Sequence, residues 1–154
     1  MEWLESTALA EWVRTSLVGY PLVLTLHSIG MAIMVGLVWI TDLRLLGWFQ
    51  RIPYTALDNM IRVAWYGLAV NAITGAAIFT SQAVFYTTSP PFLTKMVIVI
   101  GGSILAAYMQ PRLRREAPAW SAGTPVPSGM KALATISILM WLVAIITGRF
   151  TAYL

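Results

Sequence analysis

Four stretches of about twenty mainly apolar residues, separated by short polar connections, constrain this chain more than any other feature. A helix crossing the hydrocarbon core of a bilayer needs about 20 such residues. The stretches lie near 20–41 (opening YPLVLTLHSIGMAIMVG), 63–85, 92–108 and 132–153. They are long, continuous and rich in Leu, Ala, Met and Gly, whereas a barrel strand alternates over about ten residues. The expected fold is therefore an all-α integral membrane protein, one domain over 1–154 built as an antiparallel four-helix bundle. Composition agrees, with 58% hydrophobic residues and 10% charged, where soluble domains carry about 25% charged residues. Such a surface excludes a soluble enzyme, and with no cysteine a disulfide scaffold is excluded too.

Pro21 opens the first stretch, where its missing N–H costs nothing. Pro111 is expected to close the third, because proline interrupts the helical hydrogen-bond ladder. Ahead of the first stretch, Trp3, Leu4, Ala8 and Trp12 recur at helical spacing with Glu2, Glu5 and Glu11 around them. Residues 1–15 thus read as one short helix lying in the membrane interface. The segment lacks the basic start and apolar middle of a signal peptide. The Pro/Gly/Ser-rich run REAPAWSAGTPVPSG is expected to be a solvated connector.

Arg44, Arg51, Arg62, Arg112, Arg114, Arg115 and Lys131 flank the two longer loops, against Arg14, Lys95 and Arg149 on the other side. Seven cations against three put the longer loops in the cytoplasm and both termini outside, which is the periplasm for a bacterial inner membrane. The basic excess is spread along membrane loops, so nucleic acid is not an expected partner. The expected partners are the lipid bilayer and other membrane subunits, or a second copy of the chain.

Helices in lipid associate through small residues, and each span offers a seam of them: Ala32 with Gly36, Gly67 with Asn71 and Gly75, Gly102 with Ala106, Ala144 with Gly148. The Gly67–Asn71–Gly75 stripe carries the strongest expectation, since an amide in the membrane needs a partner that small neighbours let approach.

Ionisable residues inside a membrane are costly and mark functional candidates. His27, Gln82, Lys95 and Arg149 all fall toward the outer ends of their spans. Together they would suit an anionic or carbonyl-bearing ligand such as a lipid headgroup, a quinone or the propionates of haem b. His27, with Met31 one turn on, is a candidate haem or metal ligand. A lone histidine equally serves as a hydrogen-bonding group across the bundle, and long cations near helix ends snorkel to the headgroups. Asp42 and Arg44 lie at the inner end of the first span, where an exposed pair would contribute under about 1 kcal/mol; a structural role in fixing the exit of the chain is expected, with Arg62 pairing to Asp42 or Asp58. No nucleophile–base pair or two-carboxylate arrangement stands out, so no enzymatic activity is expected. A small-molecule carrier ranks last, with only Gly101–Gly102 to suggest a broken helix.

The patterns YP…LHSIGMAIMVG and TDLRLLG in the first span, ITG in the second, FLTK in the third and GRFTAY near the C-terminus resemble an uncharacterised bacterial family of small four-helix inner-membrane proteins. That resemblance implies the fold and no activity. A weaker similarity, to copper-resistance proteins and b-type cytochrome membrane subunits, runs up against the single histidine of this chain. Two functions are carried forward. One is a non-catalytic accessory or structural membrane subunit; the alternative is a haem- or quinone-binding redox protein with its site around His27.

Overall fold

The computed structural model describes residues 1–151. Among them there are helices and no strands. Two short helices, α1 (Glu2–Glu5) and α2 (Ala8–Thr15), lead into α3 (Gly19–Leu45). A single 3-10 turn at Tyr54–Ala56 precedes α4 (Leu57–Ser81), followed by the short α5 (Ala83–Thr88), α6 (Pro90–Ser121) and α7 (Ser128–Phe150). The four long helices, counting the 3-10 turn with α4, are each long and apolar enough to cross a membrane. Only 17–28% of their most apolar windows is buried inside the protein. Apolar surface thus faces outward on every helix, the arrangement that hydrocarbon and not water stabilises.

The helices run alternately up and down. One end of the bundle gathers Gly19, Ser81, Pro90 and Phe150, here the terminal end; the other gathers Leu45, Leu57, Ser121 and Ser128, the loop end. Helices α3 and α4 form one closely packed hairpin, α6 and α7 the other. The hairpins join through α3 and α7, while α4 and α6 touch more sparingly. The core runs through Met34, Val35, Val38, Leu45, Leu57, Ile61, Met109, Leu113, Met130 and Trp141.

The tight hairpin has a cause in the sequence. A Cβ on Gly67 would stand 2.8 Å from the Gly30 carbonyl oxygen and the Met34 nitrogen, and one on Gly30 would stand 2.8 Å from the Gly67 oxygen. The two backbones touch there, as only glycine permits. The expected stripe on α4 thus faces α3 along its whole length, since Asn71 and Gly75 both meet His27. On α3, however, Gly30 is the seam residue. Ala32 and Gly36 turn away, with nothing within 4 Å of a Cβ built on Gly36. Gly102 packs under the Trp141 indole.

Several boundaries differ from expectation. The N-terminal segment is not one helix, because Thr7 breaks it and caps α2 by accepting from the Ala10 N–H at 3.3 Å. Its buried residues are Ala10 and Val13, the latter packed with Val23 and Ile78, while Trp3 and Trp12 face outward. The second span ends at Ser81, where Gln82 leaves helical geometry. Pro111 does not close the third helix. Helix α6 continues through Pro111 and Pro118 to Ser121, so the first half of the expected solvated connector is helical. Tertiary packing overrides the prolines. Leu113, Ala117 and Trp120 are buried, and Trp120 meets the Tyr54 ring edge-on with centroids 5.8 Å apart.

Both loop-end helix exits use a left-handed glycine. Gly47 (φ 101°) donates to the Arg44 carbonyl, and Trp48 to that of Leu43. Gly123 (φ 104°) donates to the Trp120 carbonyl, and Thr124 to that of Ala119. This paired pattern satisfies the last carbonyls of each helix and needs a residue without a Cβ at the turn.

Candidate functional site

The polar residues of the long helices fall into three groups. The first sits about 12 Å along α3 from the terminal end, where His27 faces Gly75 and Asn71 of α4. The His27 Nδ1 lies 3.0 Å from the Asn71 carbonyl oxygen and 3.1 Å from Thr74 Oγ1. The Thr74 hydroxyl donates to the Val70 carbonyl at 2.6 Å, so toward the imidazole it accepts. The proton therefore belongs on Nδ1. In return Asn71 Nδ2 donates to the His27 carbonyl at 2.9 Å and approaches His27 Nε2 at 3.4 Å. Both ring nitrogens face α4. Gly75 makes the room, since its Cβ would stand 3.1 Å from the imidazole Cε1.

Next to Asn71 is a small cavity of about 20 Å³ lined by Met31, Met34, Lys95, Trp141 and Ala144 among others. Lys95 reaches it from α6 with its stem along Gly148, where a Cβ would lie 3.5 Å from the Lys95 Cδ and 3.7 Å from Nζ. The buried Trp141 indole N–H has no hydrogen-bond partner among the described residues. A volume of this size suits a water molecule, whereas pockets for organic ligands run to about 300–1,000 Å³.

Of the five residues singled out in the sequence, His27, Met31 and Lys95 are thus directed into the bundle around Asn71. Gln82 and Arg149 are exposed. Gln82 occupies the break between α4 and α5, and Arg149 follows Gly148 on the outward side of α7. Of the expected convergence of one polar residue from each of four helices, only the contributions of α3 and α6 point inward, and α4 supplies Asn71 in place of Gln82.

The second group is Asp42 and Arg44, which form no exposed pair. Both are buried and they diverge. The Arg44 Nε donates to the Ile52 carbonyl at 2.6 Å and its guanidinium lies 3.8 Å from the Tyr54 ring centroid. Asp42, 2% exposed, lies beside Ser137 of α7. Neither its Oδ2 nor Ser137 Oγ completes a hydrogen bond of normal geometry among the described residues.

The third group joins α4 to α6 at the loop end. Asp58 accepts from Arg62 at 3.0 Å, from Gln110 at 3.1 Å and from Arg114 at 3.3 Å. The Gln110 Oε1 in turn accepts from the Trp65 indole at 2.9 Å. Arg62 thus pairs with Asp58 and not with Asp42. Gln110 and Trp65 are not legible as partners in the sequence; the only signal is an amide one turn before a basic cluster.

Among the described residues, no group of three or more His, Cys, Asp or Glu is placed to hold a metal ion. The fold and these groups define an all-helical bundle with four membrane-length helices and polar contacts between them. The chain belongs to DUF6644, a family of unknown function, whose model matches residues 1–154. No curated protein and no solved structure matches it.

Proposed function

We propose that the chain is a multi-pass protein of a bacterial inner membrane with both termini periplasmic, acting as a non-catalytic structural subunit that packs against a second copy or another membrane protein. What supports the orientation is the gathering of Arg44, Arg62, Arg112, Arg114, Arg115 and Lys131 at the loop end, the side that the positive-inside rule assigns to the cytoplasm.

One observation carries the packing role. The face of α3 opposite the Gly30 seam presents Thr25, Ser28, Ala32 and Gly36, the first three exposed and the last with open space beside it. The Thr25 and Ser28 hydroxyls fold back onto the Pro21 and Leu24 carbonyls at 2.7 and 2.9 Å. Their side chains therefore lie flat and leave a shallow, small-residue track along the helix. Lipid chains gain little from such a track, whereas a second helix gains close van der Waals packing along it. The same face of a second copy, related by a two-fold axis, is the simplest occupant.

Native mass measurement in mild detergent tests this, with Ala32→Leu and Gly36→Leu as variants that fill the track without touching the interior. The expected result is a dimer, or a complex with a co-purifying protein, that reverts to monomer in the variants. A wild-type chain that runs alone overturns the reading.

A second reading, a haem- or quinone-binding redox protein, draws on Met31 and Lys95 sharing one cavity with Asn71, the partner of His27. The small cavity requires α3 and α6 to part before a ring system enters. An absorbance spectrum decides the haem version: a Soret band lost in His27→Ala supports it, and a colourless wild-type protein ends it.

A further inference from the structure

We propose that the cleft between α4 and α6 at the loop end binds one anionic phospholipid of the cytoplasmic leaflet. The proposal rests on the membrane reading above and on four features of this cleft.

The cleft has a volume of about 420 Å³ and is lined by Trp65, Ala107, Gln110, Pro111, Arg114 and Arg115. It exists because Ala107 and Pro111 are short where α6 would otherwise close on α4. The Trp65–Gln110 hydrogen bond and the bonds from Gln110 and Arg114 to Asp58 hold its floor and one rim.

Its depth matches a headgroup. Gln110 lies twenty residues into α6 from Pro90, about 30 Å along the axis, which is the thickness of the hydrocarbon core. Arg114 and Arg115 stand one turn further, in the interfacial layer, and Trp65 sits at the boundary where indoles concentrate.

Its charge is complementary to phosphate. Arg114 and Arg115 line it and Arg62 shares Asp58 with Arg114, against the carboxylates of Asp58 and Glu116. Arg115 is the freest of the group, exposed and held only at 3.4 Å by Glu116. A guanidinium offers phosphate oxygens a planar two-donor fork.

A track for an acyl chain continues from it. Ala69, Ala72 and Ala76 follow Trp65 on one exposed face of α4, and Met96, Ile100 and Ile104 are exposed on α6. Toward the terminal end Phe79 of α4 stacks on Phe92 of α6, centroids 5.8 Å apart. From Trp65 to Phe79 is fourteen residues, about 21 Å of helix. That exceeds the ~15 Å depth of one leaflet's hydrocarbon.

The test is native mass spectrometry of the full chain released from nanodiscs of mixed phosphatidylglycerol and phosphatidylcholine. Wild type should retain one phosphatidylglycerol per chain in preference to phosphatidylcholine. Retention should fall at least five-fold in Arg114→Gln/Arg115→Gln and also in Arg115→Gln alone, which breaks no helix–helix contact. Asp58→Asn, which loses the same ion pair as Arg114→Gln but keeps both guanidiniums, should retain the lipid. Equal retention of the two lipids, or retention unchanged in the double variant, overturns the proposal. A chain that resists alkaline carbonate extraction yet shows no lipid preference overturns the lipid site alone; a chain that carbonate releases into the supernatant overturns the membrane reading with it.

Discussion

Replacing Gly67 with alanine adds one methyl group, and the structure indicates what that methyl meets. Its Cβ would stand 2.8 Å from both the Gly30 oxygen and the Met34 nitrogen, where ordinary contact begins at 3.4 Å. Those are backbone atoms of a helix, so no side-chain rotation relieves the clash. Helix α3 must move off α4 by about 0.6 Å, the difference between the two distances. His27 and Asn71 lie one turn along the same seam, and their 2.9 and 3.0 Å bonds stretched by that amount reach the limit of hydrogen bonding. Overpacking costs about 1–3 kcal/mol. Losing the interhelical bonds adds roughly 0.6 kcal/mol, the average for such bonds in lipid. The sum is about 1.6–3.6 kcal/mol, or roughly 15- to 400-fold in the unfolding equilibrium. Unfolding in mixed mild-detergent and dodecyl sulfate micelles, followed by circular dichroism, measures it. Gly129→Ala is the control, because a Cβ there meets nothing within 4 Å and a helical alanine is no worse than glycine. A double-mutant cycle sharpens the reasoning: His27→Leu should cost less in the Gly67→Ala background than in wild type, the seam already being open. Equal stability of the Gly67 and Gly129 variants would refute the close backbone crossing.

Trp120→Ala should destabilise by about 3–5 kcal/mol, the cost of emptying an aromatic core site; a change under about 1 kcal/mol in the same unfolding measurement would mean that the end of α6 is a free connector after all. Arg44→Gln removes the cation over Tyr54 and the bond to the Ile52 carbonyl, so the 46–56 segment should become several-fold more sensitive to protease in detergent, with helix content unchanged. Asp58→Asn should cost only about 0.5–1 kcal/mol because Arg62 and Arg114 are largely exposed, and the cost should shrink further as salt is raised. Gly47→Ala, at φ 101°, should cost about 1 kcal/mol where Gly129→Ala costs nothing.

The helices are legible in the sequence because their apolar runs are long, and the α4 seam is legible because Gly67, Asn71 and Gly75 repeat at one helical face. Local pattern does not supply the partner across the gap. Ala32–Gly36 is as good a small-residue seam on paper as Gly30 with Met34, yet only the second meets α4; nothing local distinguishes them. Likewise Asp42 and Arg44 look like a pair at the end of a span. Their fate is set by distant residues, Ser137 for one and Tyr54 with Ile52 for the other. Pro111 and Pro118 are helix breakers by local rules, and the burial of Leu113, Ala117 and Trp120 against the rest of the bundle outweighs them.

These long-range contacts share a physical consequence. At the loop end, Arg44 over Tyr54, Tyr54 against Trp120, and Asp58 with Gln110 and Arg114 tie the α3–α4 connection to the extended end of α6. At the terminal end the inward polar contacts are those of His27 with Asn71 and Thr74 and the approach of Lys95 to Gly148. The first set links both hairpins through cation–π, aromatic and charge-assisted contacts; in the second, the hydrogen bonds stay within the α3–α4 hairpin, and α6 contributes a lysine stem. At the terminal end Phe79 of α4 also stacks on Phe92 of α6, centroids 5.8 Å apart, so aromatic contact joins the hairpins at both ends and the loop end adds charge-assisted bonds to it.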